Sequence, residues 1–251
     1  MRKVLISLMF VMFLGLVSCE ENACSLPSSL VGIWIGAYDS MICHASGKLE
    51  YSSDDSDETS HGERTWSVEE RDGFQGNFFR TVENFSGNKY SMNLRSYSLF
   101  DDTLLLDVFS LQENSQLAKQ WERVWYRQEV TNRYDPLVLE FCEEQVIEQI
   151  AIQGTAFTLK ISQRYVARDY ESGAELDRIF NTAHFSGDIE WQNGGTTFTV
   201  NITEANHGDC FYYILINVGD TLHGRYWKER DVFTLDGKYM EDEPLYKYVK
   251  N

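Results

Sequence analysis

From Trp66 to the end, apolar and polar residues take turns in run after run, and helical spacing is scarce. Tyr90, Met92 and Leu94 interleave with Lys89, Ser91, Asn93 and Arg95. Leu104, Leu106 and Val108 share one face of the next run. Phe157, Leu159 and Ile161 alternate with Thr158, Lys160 and Ser162. Phe185, Gly187, Ile189 and Trp191 oppose Ser186, Asp188 and Glu190, and Phe198, Val200 and Ile202 oppose Thr197, Thr199 and Asn201. A period of two sends neighbouring side chains to opposite sides of an extended backbone, so each run has a face to bury and a face to wet. Antiparallel sheets read this way, whereas strands of a βαβ order are apolar on both faces.

Turn chemistry separates the runs: Asp72-Gly73, Ser86-Gly87-Asn88, Asn193-Gly194-Gly195, His207-Gly208-Asp209 and Asp236-Gly237. Only three prolines occur, and a 43% hydrophobic, 14% aromatic composition is ample for a packed core. The expected fold class is therefore all-β, an antiparallel meander closing into a barrel, or two barrel-like or sandwich halves. Residues 128–136 are the best candidate boundary. Residues 137–152 allow a short helix or a hairpin, and a strand is the expectation there. Residues 52–63 are uninterrupted by apolar side chains and read as a loop.

The first nineteen residues have a different logic. Arg2 and Lys3 precede an apolar run from Val4 to Val17, too short for a stable membrane span but suited to an export signal. Leu16-Val17-Ser18-Cys19 resembles the lipobox of bacterial lipoprotein signals. The resemblance implies that Cys19 is lipidated, that residues 1–19 are a signal segment, and that residues 20–29 form a tether to the cell envelope. Several acyl chains on one Cys hold a bilayer stably, where one holds it marginally. Cleavage after Cys19 and ordinary secretion is the alternative.

Leu30-Val31-Gly32-Ile33-Trp34-Ile35-Gly36 resembles the Gly-x-Trp signature of lipocalins, in which the Trp closes one barrel end beneath an Arg of the last strand. On that resemblance, residues 30–128 form a lipocalin-like domain. Its last strand is Trp121-Glu122-Arg123-Val124-Trp125-Tyr126-Arg127, with Trp125 and Arg127 joining Gly32 and Trp34 as structural barrel-closing residues. Asp102-Thr103-Leu104-Leu105-Leu106 resembles the hairpin arm before the closing strand. The second β region, 137–251, is either a diverged repeat or a continuation. Asp220-Thr221-Leu222 echoes Asp102-Thr103-Leu104, and Phe185-Ser186-Gly187-Asp188 echoes Phe85-Ser86-Gly87-Asn88.

A net charge of −17 repels phosphate backbones, so nucleic acid is not an expected partner, and any hold on a membrane would come from the anchor alone. With Cys19 set aside, Cys24, Cys43, Cys142 and Cys210 are disulfide candidates with three pairings, Cys24–Cys43 being the most local. Their spacing fits no compact zinc motif, and no metal or cofactor is expected.

Asp188 and Glu190 share a strand face with His184, and paired carboxylates are what glycoside hydrolysis needs. With 39 Asp and Glu in 251 residues such pairs arise readily by chance, so a solvated strand face is the preferred reading. Asp54, Asp55, Asp57 and Glu58 could collect Ca²⁺, but the EF-hand pattern fails, leaving an acidic loop. His207 and Cys210 sit close in sequence without the facing geometry that nucleophilic catalysis requires. Trp34, Trp66, Trp121, Trp125, Trp191 and Trp227 could line a cavity, although core packing accounts for most of them. The leading expectation is an exported, lipid-anchored, lipocalin-like binding protein for a small apolar molecule. The alternatives are a secreted carbohydrate-active enzyme using Asp188 and Glu190, or a non-catalytic surface scaffold for protein partners.

Overall fold

A computed structural model describes residues 26–37, 39–53, 63–70, 77–85, 89–111, 119–132, 139–208, 216–237 and 247–251. The chain is all-β, with sixteen strands among those residues, every pairing antiparallel. The strands form two rings of eight, and the second ring is inserted between the seventh and eighth strands of the first.

The first ring contains β1 (Gly32–Ile35), β2 (Asp39–Cys43), β3 (Leu49–Ser53), β4 (Glu63–Glu69), β5 (Asn77–Asn84), β6 (Tyr90–Phe100) and β7 (Thr103–Leu106). It is completed by the C-terminal strand, β16 (Lys247–Lys250). Each strand pairs with the next, and β16 lies between β7 and β1, with Trp34 opposite Lys250 and Tyr248 opposite Leu104. Closure between β3 and β4 rests on one bridge, Lys48 to Thr65, and on Trp66 N donating to Gly47 O. This is the up-and-down order of a lipocalin-like barrel.

The second ring runs β8 (Phe109–Leu111), β9 (Lys119–Thr131), β10 (Glu140–Gln153), β11 (Ala156–Asp169), β12 (Glu175–Gln192), β13 (Thr197–Asn206), β14 (Thr221–Trp227) and β15 (Val232–Gly237). It too is a consecutive meander, closed by β15 on β8 with Phe233 opposite Phe109. The ambiguous stretch after residue 137 is thus the long strand β10, joined to β11 by a turn in which Gly154 adopts φ 62°. Asn193, Gly194 and Gly195 turn β12 into β13 with φ of 48°, 68° and 82°, a run that side chains beyond Asn or Gly would strain.

The seam between the rings lies at Asp107, not at 128–136, and β9 belongs to the second ring rather than closing the first. β9 reaches the first ring by pairing along β6, from Tyr90–Val130 to Arg95–Trp125. Beyond that register the two strands part; β7 continues beside β6 and β8 beside β9. Because Arg95 and Trp125 are direct partners, they point to the same side of the shared sheet, and both barrel interiors lie on that side.

Each interior has its own core. Leu30, Trp34, Met41, Trp66, Phe79, Leu104, Leu106 and Tyr248 fill the first. Trp121, Phe157, Phe185, Ile189, Phe198, Val200, Leu222 and Phe233 fill the second. Leu105, Val108, Val232, Phe100 and Trp227 pack the outsides of the two barrels together. On the opposite face of the shared sheet Phe78, Met92, Leu94, Val124 and Tyr126 form a further buried cluster. Both faces of β6 are therefore covered, and the alternation read there as dry-and-wet separates an inter-strand cluster from a barrel interior.

The repeated Asp-Thr-Leu triplets occupy equivalent places. Thr103 opens β7 and Thr221 opens β14, each the seventh strand of its own ring. The Phe85 and Phe185 echoes do not correspond as closely. Phe85 follows β5, whereas Ser186–Gly187 is a bulge inside β12.

Candidate ligand-binding site

A cavity of about 230 Å³ opens inside the first barrel. Its apolar wall comes from Met41, Leu49, Phe79 and Leu106, and its polar wall from Tyr51, Arg64, Glu83, Asn93, Arg95 and Tyr248. Strand parity explains the mixture: Asn93 and Arg95 alternate with Met92 and Leu94, so burying the latter on the far side turns the former inward.

The polar groups are held in three arrangements. Asp39 accepts hydrogen bonds from the phenols of Tyr51 and Tyr248, the latter at 3.0 Å. Burial and the Asp39 hydrogen bond push Tyr51 up to about 12. Burial, then the Asp39 charge, raises Tyr248 further. Both phenols stay protonated donors at physiological pH. Arg64 Nε lies 3.1 Å from Glu83 Oε2, and its guanidinium stands 5.5 Å from the centre of the Tyr51 ring. Arg95 donates to Asp107 through Nε at 3.0 Å and Nη2 at 2.6 Å. A second hollow of about 520 Å³ lies outside, between β3 and β4, and shares Leu49, Tyr51 and Arg64 with the cavity.

The Gly-x-Trp segment closes the other part of this barrel. Trp34 is fully buried, and its Nε1 donates to Leu30 O at 2.8 Å. The cation over its ring is Lys250 of β16, with Nζ 5.4 Å from the centroid and 3.0 Å from Ser29 O. Gly32 is what allows this, since a Cβ there would come within 2.9 Å of Lys250 Cε. Trp125 and Arg127 are not brought to Trp34. Trp125 packs against the core of the second barrel, and Arg127 pairs with Glu129. The reason is topological, because β16 rather than β9 is the neighbour of β1.

The second barrel's interior combines aromatic side chains with a buried ion pair. Arg123 donates to both oxygens of Glu148, through Nη2 at 2.7 Å and through Nε, while its guanidinium sits 4.4 Å from the Phe109 ring centre.

The remaining candidates take structural or solvent-facing positions. Asp188, Glu190 and His184 are exposed on the outside of β12. His207 packs edge-on against Phe185 at 5.5 Å, and its Nε2 hydrogen-bonds with Ile216 O. Cys43 and Cys142 are buried thiols rather than disulfide partners; burial pushes Cys43 up to about 12, and Cys142 Sγ accepts from Tyr165 at 3.3 Å. Cys19, Cys24, Cys210 and the acidic group Asp54, Asp55, Asp57 and Glu58 lie outside the described residues. Among the described residues no His, Cys, Asp and Glu gather into a metal-binding group.

The cavity residues carry no motif. They come from β2 to β7 and β16, and the signal in the sequence was a strand whose polar alternate, Asn93-x-Arg95, faced a neighbour rich in aromatic and acidic partners. No protein family, curated protein or solved structure matches the chain.

Proposed function

We propose that this is an exported, lipid-anchored binding protein whose first barrel takes up one small amphipathic molecule. The observation that carries the reading is the barrel cavity, open on one side, with an apolar wall facing a polar one. Its volume is below the roughly 300–1,000 Å³ of drug-sized sites, so the ligand is small. The polar wall distinguishes it from the purely apolar molecule expected of the fold alone. Paired guanidinium and carboxylate groups and two phenols would orient a polar head, while Phe79 and Leu106 take the hydrophobic part. Lipidation at Cys19 would hold the protein at the envelope.

A thermal-shift screen of small amphipathic molecules tests the ligand part, run beside a Leu106→Phe variant whose larger side chain fills the cavity. Members that raise the Tm of the native protein and not of the variant support the reading. A screen in which both proteins respond identically overturns it. Intact mass of the mature chain tests the anchor, with diacylglyceryl-Cys19 expected and an unmodified amino terminus at Glu20 contrary to it.

A further inference from the structure

One outer face of the first barrel is apolar. Outward positions on β1 are Ile33 and Ile35, about 41% and 47% exposed. Ile33 pairs across to Ile42 of β2, and Ile35 to Val249 of β16, itself 45% exposed. Direct antiparallel partners project to the same side, so the four aliphatic side chains form one continuous patch. A shallow groove lined by Ile35, Gly36, Ala37, Lys247, Val249 and Lys250 borders it.

We propose that this face of β2, β1 and β16 rests on the bilayer to which the chain is tethered, so that the barrel is oriented as well as anchored. The proposal rests on the reading of Cys19 as the lipidated residue. Three observations select a lipid surface as the occupant. First, β1 is the strand nearest in sequence to Cys19; the thirteen residues to Gly32 extend at most about 45 Å at roughly 3.5 Å each, so the anchor delivers this strand first. Second, a chain of net charge −17 is repelled by anionic headgroups over most of its surface, but the four side chains of the patch are uncharged; Lys247 stands at one edge, and Glu50, opposite Ile42, marks the other limit of the apolar face. Third, the side chains are aliphatic and project from one sheet to a similar depth, suited to shallow burial at the headgroup–acyl boundary rather than to insertion.

The test uses the full chain processed to its mature form, with Cys24 and Cys210 replaced by Ser and a nitroxide placed at Ile35→Cys. A control label is placed at Glu190→Cys on the second barrel. Cys43 and Cys142 are buried and stay unlabelled in the folded protein. In vesicles of phosphatidylethanolamine with a minor share of phosphatidylglycerol, the label at 35 should collide severalfold less with a water-soluble nickel chelate than the label at 190. It should also collide more with oxygen. Equal access at the two positions overturns the proposal, and Val249→Cys repeats the measurement should the first variant misfold. Intact mass separates this from failure of the anchor: where the mature chain starts at Glu20, the same labels read on vesicle-mixed protein still decide whether the face meets lipid. Protection at 35 without vesicles, together with a doubled mass in light scattering, would make a second copy the occupant and overturn the lipid assignment.

Discussion

Arg95 holds Asp107 with two nitrogens, and this pair joins the ligand cavity to the seam between the barrels. Arg95 lines the cavity from β6. Asp107 is the residue at which the chain leaves the first ring for the second, in the left-handed region at φ 55°. From the other side Arg123 Nη1 donates to the Asp107 carbonyl at 3.2 Å while its remaining nitrogens bind Glu148. One residue is thus gripped by its side chain in one barrel and by its backbone in the other.

Replacing Asp107 with Asn tests the side-chain half of that grip. Asn tolerates a left-handed backbone and keeps the volume, so the change removes charge and little else. Losing hydrogen bonds to a charged partner costs about 1.5–3 kcal/mol, which urea unfolding at neutral pH should report. The pH dependence should change too. Burial works to raise the Asp107 carboxyl, but the Arg95 charge and hydrogen bond, with Arg123 beyond, hold it below the ordinary carboxylate range. A folded-state value below the unfolded one gives stability that is present above about pH 4 and is lost as pH falls through the lowered value. The native protein should lose this contribution on acidification, and the Asn variant should show a flatter acid limb. Parallel acid limbs would refute the assignment.

Glu148 in the second barrel should be less replaceable still. Its side chain is only 4% exposed, and Ala there takes both carboxylate hydrogen bonds away from the enclosed Arg123 guanidinium. Removing one partner of a buried pair costs about 3–5 kcal/mol, a loss measurable by denaturant titration. Replacing Arg123 with Met together with Glu148→Leu should recover most of it, since two apolar side chains leave no orphaned charge. A double variant no better than Glu148→Ala would show that the pair does more than satisfy itself.

The alternating runs made the all-β class and most strands legible, and the Gly-x-Trp segment marked a barrel start. What could not be read was which strands neighbour one another. β9 looked like a closing strand because Trp121, Arg123, Trp125 and Arg127 share a face, and they do share one, but it lines the second barrel. The true closing strand is four residues at the C-terminus, 140 residues beyond β7, and sequence carries no mark of so distant a pairing. The cavity was hidden for a related reason. Asn93 and Arg95 read as solvent-facing because polarity predicts water on one side, and only the packing of Met92 and Leu94 against Val124 and Tyr126 reverses that.

Gly32 and Lys250 offer a test of the barrel closure. At φ 144° a side chain on residue 32 is disfavoured, at about 1–3 kcal/mol, whether or not Lys250 moves aside. Gly32→Ala should therefore destabilise by that amount, while Lys250→Ala should lose the cation–ring contact, about 0.5–1 kcal/mol, together with the hydrogen bond to Ser29 O, about 0.5–1.5 kcal/mol. If backbone conformation dominates, the double variant is nearly additive. If crowding against Lys250 Cε dominates, removing the lysine rescues Gly32→Ala, and thermal denaturation of the four proteins separates the two.

The phenols facing Asp39 give a reading of the cavity in solution. Tyr51 is raised to about 12 and Tyr248 beyond it, mainly by burial and then through Asp39, so both should ionise after exposed tyrosines in a tyrosinate absorbance titration. Raised folded-state values mean that the phenol–carboxylate contacts stabilise the fold fully below about pH 10 and lose that contribution as pH climbs through the raised values. Tyr248→Phe should remove one late-ionising phenol and, with it, the loss of stability that its ionisation brings, so the alkaline limb of the stability profile should be flatter than in the native protein. Asp39→Asn should bring the ionisation of both phenols earlier, because the negative charge that opposes it is gone. Unchanged late ionisation in Asp39→Asn would mean that burial alone sets the two values and that Asp39 does not organise the polar wall.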